Sequence, residues 1–309
     1  MSVESLCEQL IGIDRSSPGQ CHLLMQPPVE RCEMDDAFDA PLDSAGVQAV
    51  PIAIRQIPAA MWPSLIPLDL SRGMHSLLSG QAMAMALAQR SLASLLTARP
   101  QRACAWLWTP LLTRQLANQL AAQAVAHCPH AQGRKRWLRF YDPMVTDLFL
   151  HTSSRSQRAY RFAGATTWMF LDRWGHLAIN NMVAPALPGD PAVSWPEVEC
   201  IGALNQAWIG ALQTGDVPDR STFAHVQRCV EEARRRGVAN GHELDLFARH
   251  AISLGPHFHR HPTVQRLLVQ VEKGERYDEL AWRIEDAEWQ DIRAAASGHE
   301  AAIKGRLDT

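Results

Sequence analysis

No stretch of this 309-residue chain stays apolar for the roughly 18–20 residues that a membrane span requires. The nearest approach, residues 82–96, is interrupted by Gln89 and Arg90. The first residues carry Glu4 and Glu8 and lack a basic start followed by an apolar core. No secretory signal peptide is read there, and a cytoplasmic location without membrane insertion is expected. Seven cysteines, at positions 7, 21, 32, 104, 128, 200 and 229, include no CxxC pair and sum to an odd number. That spacing speaks against both a disulfide framework and a zinc ribbon, and fits small buried hydrophobes. The chemical fingerprints are missing as well: there is no GxSxG elbow, no GxxxxGK[ST] loop and no GxGxxG turn. His242-Glu243 begins an HExxH pattern, but position 246 is Leu, and His250 comes eight residues after His242. The zincin reading fails on spacing, and no cofactor and no metal ligand set is predicted.

What is present describes an ordinary globular protein: 47% hydrophobic and 20% charged residues, with a net charge of −2. That balance excludes wholesale disorder and gives no global attraction to nucleic acid. The length suits two domains. Charge is unevenly spread. Residues 1–50 hold nine acidic side chains against Arg15 and Arg31, whereas residues 130–161 hold seven basic ones against Asp142 and Asp147. Two solvated faces of opposite sign account for this pattern.

The first half alternates short apolar runs with helical spacing. Residues 22–25 and 103–108 read as buried strands, and 110–127 reads as a helix opened by Pro110 and followed by Pro129. A strand over 137–141 and a helix over 143–150 come next, then a hairpin of 167–171 with 176–179 turning through 172–175. Proline-rich 26–67 is expected to wrap this lobe as irregular chain. The pattern predicts an α/β lobe, a mixed sheet with flanking helices, over residues 1–181. Four prolines at 185, 188, 191 and 196 mark 182–196 as a linker. Beyond it, 197–309 reads as an all-α lobe. Phe223, Val226, Val230 and Ala233 trace one helix face; Leu244, Phe247, Ala248 and Ala251 trace a second; Val264, Leu267, Leu268 and Val271 trace a third. Gly237, Gly255 and Gly274 punctuate them, and 277–296 forms a fourth helical region.

Three segments could carry chemistry or binding. The connector around 250–261 gathers His250, His257, His259 and His261, and on an extended backbone the last three would share one face. A metal-dependent hydrolase is the enzymatic reading of that cluster. The structural reading puts His261 at a helix N-cap with Pro262 at the first helical position. Tryptophans 106, 108, 137, 168 and 174 fall in or beside apolar strands, which favours core packing over a stacking platform for bases. The best-specified segment is 136–145. Alternation would set Trp137, Arg139 and Tyr141 on one strand face and Leu138 and Phe140 on the other, with Asp142 capping a helix that begins at Pro143.

Arg139, Phe140, Tyr141, Asp142 and Pro143, preceded by Gly133 and basic residues and followed by an apolar helix, resemble the hallmark of the type VI secretion adaptors. These effector chaperones form a domain-of-unknown-function family encoded beside spike and effector genes. The 106–108 strand with its helix, and the Gly-Pro-x-Phe-x-x-His-Pro pattern at 255–262, agree with the resemblance, which spans about residues 20–295. It implies a non-catalytic cytoplasmic protein whose partners are a secreted effector, held through its N-terminal region, and the spike of the secretion apparatus. It also implies that residues 139–143 carry the motif or contact the partner. Two other classes are distinguishable from it: the metal-dependent hydrolase, and a nucleic-acid binder using the 134–161 basic stretch.

Overall fold

The run at 103–109 is apolar without alternation because both of its faces are covered. In the computed structural model, which describes residues 2–28, 46–96, 101–128, 134–182, 193–255 and 257–307, with side chains to residue 296, every residue of this strand is buried. The chain divides into two units, Met1–Val193 and Ser194–Thr309.

The first unit is built on strands β1 (Gln20–Met25), β2 (Gln48–Ala49), β3 (Ser64–Leu68), β4 (Ala103–Thr109), β7 (Thr167–Leu171) and β8 (Leu177–Asn181). They form one sheet in the order β2-β3-β1-β4-β7-β8. Strands β5 (Val125–His127) and β6 (Lys135–Trp137) make a separate pair. The α/β lobe is therefore present, and its sheet is antiparallel in every pairing rather than mixed. Helices α1 (Val3–Ser16) and α2 (Gly73–Ala88) cover one face, where Leu6, Leu10, Leu78, Ala82 and Met83 pack on Leu23, Ile66, Trp106, Trp108 and Met169. Two indoles are pinned on that face: Trp106 Nε1 donates to Ser79 Oγ (3.0 Å) and Trp108 Nε1 to Asp14 Oδ1 (2.8 Å). The opposite face collects Phe140, Phe162 and Trp168, whose rings meet at 4.8–6.0 Å. Edge strand β8 is half-buried to exposed, as the end of a sheet should be.

Several sequence expectations are corrected here. The helix read over 110–127 is α4 (Thr113–Gln123); α3 (Leu92–Leu96) precedes it. Residues 125–127 leave the helix to pair with β6, Val125 opposite Trp137, so a long-range partner overrides the continuing helical spacing. The strand read over 137–141 stops at Trp137. Leu138 N–H still bonds Ala124 O (2.8 Å), and then Asp142 N–H closes a turn on Arg139 O (3.0 Å). Leu138, Phe140 and Tyr141 are all buried, so the proposed two-face alternation does not exist. Within 26–67, β2 and β3 replace irregular chain. Pro67 is tolerated in β3 because β2 pairs only with Ser64 and Leu65, leaving no ladder on that side at 67. Residues 29–45 of that stretch, 183–192 of the expected linker, Pro129, Gly133 and Pro256 lie outside the described residues.

Helices α5 (Pro143–Thr152) and α6 (Arg155–Arg161) complete the first unit. The second unit is entirely helical: α7 (Trp195–Thr214), α8 (Arg220–Arg235), α9 (Gly241–Ser253), α10 (Pro262–Glu272), α11 (Tyr277–Ala281) and α12 (Asp286–Leu307). Helix α7 was not anticipated, and Pro196, read with the linker, sits in its first turn, where a missing N–H is harmless. The region 277–296 is two helices, broken at 282–285. Helix α9 packs on α7 and α8, and Phe247 stacks between Phe258 (5.0 Å) and Tyr277 (5.1 Å). Asp219 and Asn240 cap α8 and α9 by accepting from Thr222 N–H (2.7 Å) and Glu243 N–H (2.9 Å). After α8, Gly237 adopts φ +103°, with Val271 O so near that a Cβ would sit 3.3 Å from it. Among the described residues no helix is long and apolar enough to cross a membrane.

Candidate functional site

Asp142 occupies the position its sequence context assigns. Its Oδ1 accepts from Met144 N–H (3.1 Å) at the start of α5, and Pro143 follows in the first helical turn. Its Oδ2 accepts from Arg139 Nη2 at 2.7 Å. The same Nη2 donates to Gln26 Oε1 (2.7 Å), and Gln26 Nε2 donates to Gln101 O (3.2 Å). Gln26 N–H bonds Arg102 O (2.8 Å), carrying the β1–β4 pairing past the irregularity at Leu24/Met25. The motif loop is thereby tied to the end of one central strand and the start of its neighbour.

Phe140, Tyr141 and Pro143 turn inward. Phe140 lies edge-on to Tyr141 (5.7 Å) and Phe162 (5.3 Å), and its carbonyl accepts from Thr146 Oγ1 (2.7 Å). Tyr141 is 1% exposed and its hydroxyl has no partner of good hydrogen-bond geometry. Burial, reinforced by the neighbouring Cys104 thiol, raises its pKa well above that of an ordinary phenol. Cys104 is itself pushed up to about 12 by burial and by Asp142, so its thiolate form, the nucleophile, is suppressed. Of the five motif residues, Arg139 reaches solvent most, with 34% of its side chain exposed against 13% for Asp142.

A second layer of charge adjoins the first. Arg173 Nε donates to Asp147 Oδ2 (2.7 Å), and the Arg173 side chain is fully enclosed. Asp172 Oδ1 accepts from Trp174 and His176 N–H (both 2.9 Å), fixing the β7–β8 turn. Arg90 donates to the Leu171 carbonyl. Burial and the Arg173 charge lower the Arg90 pKa, Asp142, Asp147 and Asp172 oppose the shift, and the balance is about 10. Sequence reasoning found Arg139 and Asp142 but missed Gln26, Arg90, Asp147, Asp172 and Arg173 as their surroundings. One signal was available: Arg90 interrupts an otherwise apolar stretch, and an isolated charge beside a buried helix needs a partner. Chemically, this junction is a set of mutually neutralised groups that joins five chain segments.

The histidine connector does not form one face. Residues Phe258–Arg260 make a single 3-10 turn. His261 Nδ1 caps α10 by accepting from Thr263 N–H (3.3 Å), the position the structural reading assigned. His250 Nδ1 meets Tyr277 OH (2.8 Å), and burial lowers its pKa to about 4. His259 Nδ1 lies 3.0 Å from Cys229 Sγ, with Glu232 Oε2 3.9 Å from Nε2. That order of groups is the one a thiol nucleophile uses. Cys229, however, is 3% exposed, and burial, with Glu232 adding to it, drives its pKa far up, which keeps it protonated. Among the described residues no three His, Cys, Asp or Glu side chains stand together as metal ligands would. The six described cysteines are free thiols.

The fold and this junction define a two-unit protein: an antiparallel α/β unit locked around an Arg-Phe-Tyr-Asp-Pro loop, and a helical unit. Residues 57–160, about a third of the chain, match the family model of a domain of unknown function, DUF4123. The match runs from just before β3 into α6 and includes the 139–143 motif; β1, β7, β8 and the helical unit fall outside it. No curated protein and no solved structure matches the chain.

Proposed function

We propose that the protein is a non-catalytic cytoplasmic adaptor of the type VI secretion system. It holds a secreted effector, through the effector's N-terminal region, and promotes its loading onto the spike. The carrying observation is the DUF4123 domain at 57–160 together with the 139–143 motif inside it, a domain linked to type VI secretion. The geometry is in keeping with a holding role. Arg139 Nη2 and the Asp142 carboxylate are spent on each other, on Gln26 and on a helix cap, which favours a rigid scaffold over a site of turnover. In this reading 139–143 braces the partner-binding unit, and Arg139 is the motif residue that could touch a partner directly.

The test is co-expression of the tagged protein with the adjacent effector and spike, followed by size exclusion and deletion of the adaptor gene. A soluble adaptor–effector complex is expected, and deletion should lower delivery of that effector alone. Delivery and solubility that are unchanged without this protein would refute the proposal. Stoichiometric zinc in the purified protein would favour the hydrolase reading instead.

A further inference from the structure

A basic concavity lies on the first unit. The segment 53–56 and strand β6 enclose about 520 Å³, and Arg55, Arg134, Lys135 and Arg136 line it. All four side chains are exposed. Among the described residues, Arg55, Arg134 and Lys135 have no ion-pair or side-chain hydrogen-bond partner. A second concavity of about 430 Å³ adjoins it, sharing Ala53 and Lys135, and is lined by the small apolar Pro51, Ala121, Ala122 and Val125 together with Asn118 and His127. The two make one trough with a cationic end and an aliphatic end, framed by α4 and the β5–β6 pair.

The concentration of positive charge is local, because the whole chain carries −2. Exposed like charges repel, and Arg55, Arg134 and Lys135 share one concave rim with no counter-charge among the described residues, so the rim attracts an anionic ligand. A partner that is anionic at one end and offers small apolar side chains at the other complements both ends of the trough. An acidic polypeptide segment meets both conditions. A nucleic acid meets them less well: the His127 imidazole is the one aromatic ring among the lining residues, whereas single strands bind along successive stacking rings. Resting on the adaptor reading, we infer that this trough is the docking site for an acidic, weakly apolar stretch of the effector chain.

The test uses the full-length protein and a fluorescein-labelled 15-residue peptide of alternating glutamate and leucine. A glutamine-for-glutamate version and a labelled 20-mer of deoxythymidylate serve as the other probes. Anisotropy titrations compare the wild type with the Arg55→Glu/Lys135→Glu variant, whose thermal midpoint is checked first; both sites are exposed, so it should not move. The acidic peptide should bind wild type at least tenfold more tightly than the glutamine peptide, and the double reversal should lose at least tenfold. Raising salt from about 50 to 300 mM should weaken binding several-fold. Equal binding of the two peptides, or an unaffected variant, overturns the inference; so does tighter binding of the oligonucleotide through the same cations. A pull-down of the adjacent effector separates the two levels. Effector captured equally by wild type and variant removes the trough and leaves the adaptor reading standing. Effector captured by neither, with the peptide result intact, removes the adaptor reading and leaves the trough.

Discussion

Asp142 shows how one side chain can look functional and act structurally. Its two oxygens are divided between a helix cap and Arg139, so the substitutions separate the two roles. Asp142→Ala should cost about 1–2 kcal/mol, the cap contributing about 1 and the half-exposed ion pair the rest. Asp142→Asn keeps the cap and should cost about 0.5–1 kcal/mol. Denaturant melts measure both, and an unchanged midpoint with lost effector binding would show that the carboxylate contacts the partner. Tyr141 offers the opposite case. Its buried hydroxyl has no partner of good hydrogen-bond geometry; the Trp137 indole N–H faces it and makes at most a weak contact. Removing an unsatisfied buried polar group recovers its desolvation cost. Tyr141→Phe should therefore leave stability unchanged or raise it by up to about 1 kcal/mol. A loss of more than about 1 kcal/mol would show that the hydroxyl is hydrogen-bonded in solution.

At the level of elements, the readable ones were those whose signal is local. Helices α8, α9 and α10 carry caps, a periodic apolar face and a terminating glycine within one window, and their boundaries follow from those residues. Strand β3 did not, because Pro67 and its short length speak against a strand until β1 is known to lie beside it, with Ile66 opposite Leu23. Helix α7 was hidden for a related reason: Val198, Ile209 and Leu212 lie outside its buried stripe of Ile201, Leu204, Trp208 and Ala211, so apolar residues run round the helix and blur the periodicity. The motif was found by its cap and proline, while its charged surroundings came from segments up to 116 residues away in sequence. Two predictions belong here. Gly19, at the entry to β1, has φ +97°, and a Cβ would fall inside the Thr109 carbonyl and the peptide that follows it. Gly19→Ala should cost about 2 kcal/mol or more by combining strain with steric overlap, and a neutral melt would refute this. Helix α9 carries a pH dependence. His250 has a folded pKa of about 4, below the value of about 6.5 for an unfolded histidine. The unfolded chain thus binds the extra proton first, so His250 lowers stability as pH falls from about 6.5 toward 4 and adds no further loss below that. Melts at pH 7.5, 6 and 5 should show the decline, and His250→Gln should flatten it.

On the scale of the whole molecule, the Arg-Phe-Tyr-Asp-Pro loop and the basic trough sit on the same unit but ask different things of the chain. The loop is inward and neutralised; the trough is outward and presents exposed cations. Substitutions at the loop should therefore register as stability, and substitutions at the trough as affinity and salt sensitivity. The helical unit has its own buried centre around Trp208, Phe223, Phe247 and Tyr277. A fragment of residues 194–309 should be soluble and strongly helical by far-ultraviolet circular dichroism. A fragment that is unfolded at neutral pH would show that this centre does not suffice.

The strand order also sets a schedule for biosynthesis. Strand β1 leaves the ribosome before any other strand of the sheet, yet it belongs in the middle, between β3 and β4. One of its neighbours is complete only at Leu68 and the other only at Thr109. At roughly 5–20 residues per second, a sticky edge carrying Cys21, Leu23, Leu24 and Met25 waits several seconds for its second partner. A nascent chain stalled before residue 103 thus exposes the surface most prone to pair with another copy of itself. Ribosome-bound intermediates of that length should recruit holding chaperones, and those stalled past Asn181 should release them.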